Sequence, residues 1–540
     1  MKYPPSLSEE QLDALANDIK DWQLTHGSIL KLVNNDVGHS VLARPIGVSL
    51  FPTPFPRDRF YEAISLQEVY NKLYRAVSED EEWLYATIKP LIEYNLLARV
   101  LWDIHIEVKK EGYCQALKLD IYRSDYMLHV PPSELSDGVP QLKQVEFNTA
   151  SCAGGIHANK ISDMHRQLVQ TGTYETQSPT GVDDTIELTA TILPPNRSLK
   201  AIALGLSRAH GAYGTPKCSA APKTCVIFVV QSRNFNIADE RPLEYALWEG
   251  TPSIPTFRLC FGDVLDHTSL TSSRELLYHP PSRPRSSPME VSVVYMRAGY
   301  DEREYDNVGK MVRLRLERSR AIKCPTILSH LTTFKKVQQS LATPGTLERF
   351  LSAEEAARVE RTFIPLYPMD ELSDAGRHAR KLAVDPTAVT KYILKPSLEG
   401  GGHNVYGKDI PGFLAQLPNE LWASYILMER IQAPMPYNAL MSPQGTYEGR
   451  VISELGVFGI CLWRGTGEET VSEKSDAGPS IDHLPRRQHL QEASWSFKTK
   501  AADIDEMSVV KGYGCFDSPA LVDGATFASC CQPEWEECTE

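Results

Sequence analysis

The segment Lys395-Pro396-Ser397-Leu398-Glu399-Gly400-Gly401-Gly402-His403-Asn404 places a cation, a carboxylate and three consecutive glycines within ten residues. Glycines admit positive φ and leave room for a phosphate to reach backbone N–H groups. Lys395 offers a compact charge and Glu399 an oxygen ligand for magnesium. The combination suits a nucleoside triphosphate, although a glycine hinge in a loop would use the same residues. In the run Leu142 to Asn148, strand alternation turns Glu146 and Asn148 to one face and Val145 and Phe147 to the other. Magnesium takes a few protein oxygens beside substrate phosphates, so Glu146, Asn148 and Glu399 form a candidate cradle for phosphoryl transfer. The competing reading of Glu146 and Asn148 is a solvated strand face. Glu454 shares a strand face with Arg450 and Ile452, and Lys498 and Lys500 form a basic pair ahead of the apolar segment near Val509. HExxH, Walker-A and strand-to-helix GxGxxG patterns do not occur in the sequence.

Positioning these residues requires a mixed α/β fold. Ser8 with Gln11 makes a capping-box pattern, with Leu12, Leu15, Ile19 and Trp22 on one helical face before Gly27. Ser65 with Glu68 repeats the start signal, and the chain to about Val108 reads as largely helical. Ala116 to Tyr126 and Leu142 to Asn148 then read as strands. Cys225 to Val230 and Val291 to Met296 have the continuous apolar character of buried parallel strands, with helix-forming residues from Pro242 to Glu249 between them, which predicts a small α/β lobe. Later strand candidates are Lys391 to Lys395, Ser424 to Ile431, Arg450 to Leu455 and Phe458 to Trp463. Ser207 to Lys223, His267 to Pro288 and Arg464 to Gln491 read as surface insertions, and no fixed-period repeat is found.

Composition bounds the function. With 540 residues, 42% hydrophobic and 23% charged, the chain has the make-up of a globular protein large enough for several domains, which excludes global disorder. A formal charge of −13 argues against nucleic acid or an anionic membrane surface as a partner. The apolar runs are far shorter than the roughly 20 residues of a bilayer crossing, and no signal-peptide core follows Met1, so a cytoplasmic address is expected. The 11 cysteines are odd in number and form no CxxC pair, which predicts reduced thiols. Cys530, Cys531 and Cys538 read as part of a polar tail, because no nearby histidine completes a metal set.

Arg123-Ser124-Asp125-Tyr126, Gln144-Val145-Glu146-Phe147-Asn148-Thr149, Leu316-Glu317-Arg318-Ser319 with Lys323-Cys324-Pro325, Lys335-Lys336-Val337-Gln338-Gln339, the glycine triplet and Ile452-Ser453-Glu454-Leu455-Gly456 occur in one order. By these motifs the chain resembles the eukaryotic glutathione synthetases, ATP-grasp ligases, over nearly its whole length. The resemblance implies an ATP-grasp fold with an inserted small α/β substrate-binding lobe and a glycine-rich lid. It also implies an ATP- and Mg2+-dependent joining of γ-glutamylcysteine and glycine through an acyl phosphate, in a homodimer. Implied boundaries are 1–221 and 328–540 for the two parts of the ATP-grasp domain, 222–327 for the lobe and about 385–450 for the lid.

Carried over by position, the magnesium ligands are Glu146, Asn148 and Glu399. ATP contacts are Glu146, Lys335, Lys395, Glu399, Gly400, Gly401, Gly402, Asn404, Tyr406, Met428, Glu429, Arg430, Ile431, Glu454, Lys500 and Glu506. The substrate positions are Arg123, Ala150, Ser151, Cys152, Ala153, Ser232, Arg233, Asn234, Arg297, Ala298, Gly299, Tyr300, Lys498, Val509 and Val510, and the implied catalytic cations are Lys395, Lys335 and Arg297. The chain departs from the family pattern at several of them. Ser232 replaces a glutamate, Ala298 an aspartate and Ala153 a serine, while Lys498 stands for an arginine and Glu506-Met507-Ser508 for Asp-Gly-Gly. Lysine does not reproduce the bidentate fork of arginine on a carboxylate. These changes raise one rival reading, a paralogous ligase for another carboxylate or amine; a binding protein without turnover is a separate rival, against which the intact Glu146, Asn148, Lys335, Lys395 and Glu399 set argues.

Overall fold

The computed structural model describes residues 3–32, 41–131, 140–175, 186–281, 287–397, 403–465 and 493–531. Glu399 and the three glycines after it, and most of the segment Arg464 to Gln491, therefore lie outside the described residues.

The architecture is mixed α/β, organised around three large sheets. The largest has seven strands in the order Tyr437–Ser442, Val48–Ser49, Cys515–Phe516, Trp495–Ala501, Gly445–Arg464, Leu117–His129 and Gln141–Asn148. Its centre is the antiparallel pairing of Leu117–His129 with Gly445–Arg464, from Leu455 opposite Tyr126 to Arg464 opposite Leu117. A four-stranded antiparallel sheet runs in the order Leu366–Pro368, Tyr425–Glu429, Tyr392–Pro396 and Val405–Tyr406. The six-stranded sheet forms the predicted lobe: Thr224–Val230 pairs in parallel with both Thr256–Cys260 and Met289–Met296, and Ile322–Cys324 joins Met289–Met296 in parallel. Every residue of Met289–Met296 is buried, the polar Glu290 and Ser292 included, and Glu290 accepts from the Lys217 amide at 2.8 Å while Ser292 donates to the Cys225 carbonyl at 2.9 Å.

The amino-terminal reading holds in detail. Ser8 caps the helix Glu9–Thr25 in a reciprocal capping box with Gln11, and Leu15 and Ile19 are fully buried. Ser65 does not start a helix. The helix Arg57–Glu79 begins earlier, behind Pro56, and Ser65 donates its hydroxyl to the Glu62 carbonyl within it. Burial of Phe60, Ala63, Tyr70 and Tyr74 along one face carries the helix through that signal. Pro242 likewise lies inside the helix Ile237–Glu249. Proline cannot donate to the carbonyl four residues back, and here that carbonyl, of Ala238, accepts from Lys160 Nζ at 3.1 Å.

Two predicted insertions prove to be structural. Ser207 to Tyr213 completes the helix Ser198–Tyr213, whose Leu206 and Ala209 are fully buried. His267 to Pro288 contains the strands Thr268–Leu270 and Leu276–Tyr278, which extend the lobe sheet, and Leu276 is fully buried. Polar composition hid both because only short runs face the core. Arg450 to Leu455 and Phe458 to Trp463 are one strand, Gly445–Arg464, in which Gly456 and Gly459 serve close packing. A Cβ at Gly456 would meet Ser496 Oγ at 2.5 Å and Asp125 Oδ1 at 2.6 Å.

The two ends of the chain are joined by a buried carboxylate. Asp517 accepts from Ser49 Oγ at 2.5 Å, Thr53 Oγ1 at 2.5 Å, Thr53 N at 3.3 Å and Thr499 Oγ1 at 2.6 Å. Burial raises its pKa to about 6 despite these donors.

Candidate active site

A cavity of about 410 Å³ opens between the seven-stranded and four-stranded sheets. The edge strand Gln141–Asn148 supplies Glu146 and Asn148 to its lining. The strand is fixed from behind by Phe147, which stacks on Tyr74 at 3.8 Å between ring centres and on Tyr70 at 5.5 Å. The expected alternation breaks at Val145: a register shift leaves it between Asp125↔Glu146 and Tyr126↔Gln144, and it lines the cavity beside Glu146 instead of sharing the face of Phe147. The Asn148 amide donates to Glu146 Oε1 at 3.3 Å and to Asp125 Oδ2 at 2.9 Å, so two donor contacts orient its carbonyl oxygen.

Two cations converge on this strand. Lys335 opens the helix Lys335–Leu341 and stands 3.4 Å from Glu146. Lys395, on Tyr392–Pro396, is 4% exposed and donates to the Val145 carbonyl at 3.3 Å. Lys335, Lys395 and Arg123 together hold the Glu146 carboxyl far below the usual carboxylate range, overcoming its burial. Burial lowers Lys395 to about 8, with Lys335 adding to the effect and Glu146 opposing it. A charge cluster of this kind, balanced only in part, is suited to receive phosphate oxygens.

The four-stranded sheet contributes a more apolar end, with Ile393, Met428 and Ile431 lining the cavity beside Asn404, Tyr406 and Arg430. Asn404 donates to the Tyr406 hydroxyl at 3.3 Å, and burial pushes that phenol to about 12. Arg430 is 5.8 Å from the Tyr406 ring and pairs with Asp505 at 2.7 Å. Glu429 faces Tyr392 in the backbone register, and its side chain is not among those lining the cavity. On the other wall Lys500 lies opposite Ile452 and Lys498 opposite Glu454, with Lys498 Nζ 2.5 Å from the Glu454 carboxylate. Burial raises the Glu454 pKa, and burial lowers that of Lys500, whose ammonium bonds the Ile504 carbonyl. Glu506, Val509 and Val510 also line this wall.

The positions implied for the carboxyl substrate divide. Arg123 and Ala153 line the cavity, and the Arg123 fork grips Asp125 at 2.6 and 2.7 Å while donating to the Ala153 carbonyl at 2.8 Å. Ala150, Ser151 and Cys152 form the adjoining turn, in which Ser151 has a left-handed φ of 53°. A non-glycine residue there carries backbone strain, as residues at ligand-binding turns often do. Ser232, Arg233 and Asn234 do not line the cavity; the first two are exposed and Asn234 donates to Glu240 at 2.6 Å. Arg297, implied as a catalytic cation, is buried and does not line the cavity either; one nitrogen is 2.5 Å from the Cys152 carbonyl and another 3.2 Å from Asp239. Ala298 is buried, Gly299 turns the chain at φ 80°, and Tyr300 is half-buried, all outside the lining.

Sequence reasoning missed Ile46, His157, Asn236, Ile393 and Phe516, which also line the cavity. Ile393 was within reach, since it alternates with Lys395 on one strand. The others gain their place only from tertiary contacts.

The sequence profile of the family described as eukaryotic glutathione synthase, ATP binding domain, matches residues 9–521. The chain belongs to this family. The glutathione synthetase large chain of Schizosaccharomyces pombe is 35% identical over 538 residues, covering 96% of this chain and 99% of its own. The glutathione synthetase of Homo sapiens is 33% identical over 502 residues, covering 92% of this chain and 97% of its own. Among solved structures, a glutathione synthetase-like effector from Globodera pallida superposes with a TM-score of 0.68 at 21% identity, over 96% of this chain and 98% of that one, which establishes the shared fold. The fold is therefore of the ATP-grasp type, and the chain is an ATP-dependent ligase of the glutathione synthetase kind. No helix among the described residues is long and apolar enough to cross a membrane.

Proposed function

We propose that this ligase joins γ-glutamylcysteine to glycine, with ATP as co-substrate, to give glutathione, ADP and phosphate. The observation that carries this reading is the convergence of Lys335, Lys395 and Glu146 at one end of a cavity that also holds the Arg123 fork and Lys498. The residue roles inferred from the family follow the same geometry. The apolar strip Ile393, Met428 and Ile431 takes the base of the nucleotide, and Lys335 and Lys395 take its phosphates.

The substrate carboxylate attacks the γ-phosphorus. A bond forms from carboxylate oxygen to phosphorus as the bond to the ADP oxygen breaks, and the lysines stabilise the charge that accumulates. The amine of glycine then attacks the acyl carbon, its C–N bond forms, phosphate departs with the former carboxylate oxygen, and the amine loses a proton. The role proposed for Lys498, holding the carboxylate of glycine as a point charge, requires it to turn from its pairing with Glu454. The enzyme's share is positioning and exclusion of water, because an acyl phosphate is readily hydrolysed.

Glu146 and Asn148 fit a magnesium ion, since they present an ionised carboxylate and an oriented amide oxygen to the space where phosphates would lie. When bound, the ion supplies charge neutralisation on the phosphates. No cluster of three or more His, Cys, Asp or Glu suited to a metal occurs among the described residues, and Glu399, the third ligand implied by the family, lies outside them. A homodimer and a cytoplasmic address are proposed from the family.

Of the departures from the family pattern, Ser232 and Ala298 stand away from the cavity lining, while Ala153, Lys498, Glu506, Met507 and Ser508 lie in it. What favours the tripeptide over another pair is the family, whose relatives at 33–35% identity over most of this chain are glutathione synthetases. The test is ADP release with magnesium-ATP, γ-glutamylcysteine and glycine, with mass detection of the product. Tripeptide formation supports the reading; ADP release only with another carboxylate and amine overturns it.

A further inference from the structure

Asp125 is 1% exposed and does not itself line the cavity. On the strand Leu117–His129 it faces Glu146 of one neighbouring strand and Gly456 of the other. Its carboxylate receives two side chains that do line the cavity. Oδ1 accepts from Arg123 Nε at 2.6 Å, while Oδ2 accepts from Arg123 Nη2 at 2.7 Å and from the Asn148 amide at 2.9 Å. A single pair of buried oxygens thus holds one residue assigned to the carboxyl substrate and one assigned to magnesium.

These bonds decide which atoms the two residues have left for a guest. Arg123 has five N–H groups. Two go to Asp125 and one, on Nη1, to the Ala153 carbonyl at 2.8 Å, so one remains on each Nη. Asn148 gives its amide hydrogens to Asp125 and, at 3.3 Å, to Glu146. Turned over, the amide would set its oxygen against two carboxylates, acceptor against acceptors, so the oxygen is kept on the side away from them.

The backbone on both sides accommodates this carboxylate. A Cβ at Gly456 would lie 2.6 Å from Asp125 Oδ1 and 3.0 Å from Arg123 Cδ, so the facing strand needs a residue without a side chain there. On the other side the register shifts directly after Asp125. The shift leaves Val145 as an extra residue, whose carbonyl accepts from Lys395 at 3.3 Å, while Glu146 stays opposite Asp125.

We propose that Asp125 is a positioning residue that ties the two halves of the site together, holding Arg123 for the carboxyl substrate and Asn148 for magnesium in a fixed relation. This rests on the reading of the site given above. A buried arginine–carboxylate pair contributes little net stability, because desolvation offsets the attraction. Its effect here is geometric. Phosphoryl transfer needs the attacking carboxylate about 3–3.5 Å from the γ-phosphorus, and a shared anchor for the substrate and metal groups sets that approach.

The experiment measures KM for γ-glutamylcysteine and the magnesium concentration for half-maximal rate in wild type and Asp125→Asn. The substitution keeps the shape of the side chain and puts a donor where an acceptor is needed. Both quantities rise by roughly 10- to 100-fold, as happens when the group behind a metal ligand is lost. Calorimetry with γ-glutamylcysteine in the absence of metal and nucleotide shows a matching loss of affinity. A smaller folded fraction would lower the rate and move none of these values. In an Asn148→Ala background Asp125→Asn still raises KM for γ-glutamylcysteine but no longer alters the magnesium requirement, and in an Arg123→Ala background the reverse holds. Gly456→Ala, which presses on Asp125 from the facing strand, repeats the paired rise and serves if Asp125→Asn does not fold. An active wild type with a rise in only one quantity or in neither, or with the same rises in both backgrounds, overturns the role of Asp125 alone. A wild type that makes no tripeptide overturns the γ-glutamylcysteine reading and this proposal with it.

Discussion

The ammonium of Lys335 stands 3.4 Å from the Glu146 carboxylate, an ion pair across the edge of the largest sheet. The next residue back on that strand, Val145, receives the ammonium of Lys395 through its carbonyl. One short stretch of strand therefore fixes both cations, and a nucleotide bound as proposed would meet them already placed. Little reorganisation is left for the reaction itself.

Removing one of these cations is expected to slow chemistry more than binding. Lys395→Ala should lower kcat by roughly 10²- to 10³-fold, as loss of one transition-state donor does elsewhere. Single-turnover ADP release separates this from product release, and a purely KM effect would show that Lys395 binds ground state and transition state equally.

Chelation of divalent cations should abolish ADP release, and readdition of magnesium should restore it. Glu146→Gln keeps the shape of the side chain and removes its charge, so the magnesium concentration for half-maximal rate should rise by about tenfold or more. An unchanged magnesium curve would place the ion elsewhere.

Asp517 should make stability depend on pH in a defined window. Its carboxyl is raised from the ordinary 3.8 to about 6 in the fold, so the native state holds the proton more tightly than the unfolded chain. The resulting stabilisation is complete below about pH 4, fades as pH rises to 6, and amounts to on the order of 3 kcal/mol. Asp517→Asn should remove it. Denaturant titrations of both proteins between pH 4 and 7 would show the wild type losing stability with rising pH relative to the variant; parallel curves would contradict the assignment.

Gly205 lets the helix Ser198–Tyr213 settle on the long strand, because a Cβ there would lie 2.4 Å from Ile460 Cγ2. Gly205→Ala should destabilise by about 1–3 kcal/mol through overpacking. Combining it with Ile460→Ala, which makes room, should give less than the sum of the two single losses in urea unfolding.

The sequence displays the site best where local periodicity and chemistry coincide. Glu146 and Asn148 share a face by strand alternation, and Lys395 ends an extended run, so both could be placed without a structure. Gly456 and Gly459 misled, because glycine inside a strand and glycine between strands look alike along the chain, and only the side chains packed over them distinguish the two. His157 carried no signal at all. Its place in the cavity wall depends on Phe516, which approaches it from a distant part of the chain. The family resemblance supplied the residue roles that periodicity could not, and it pointed to Ser232 and Ala298 as substrate contacts, although neither lines the cavity.

The pairing of Leu117–His129 with Gly445–Arg464 also bears on how the chain is made. A ribosome releases the first of these strands long before the second exists, so the nascent protein must hold an unpaired sheet edge until synthesis is nearly complete. The lobe strands from Thr224–Val230 to Ile322–Cys324 find their partners among themselves and can assemble meanwhile. Closure of the large sheet is then the late, slow event set by long-range contacts, and the cavity between it and the four-stranded sheet comes into being only with it.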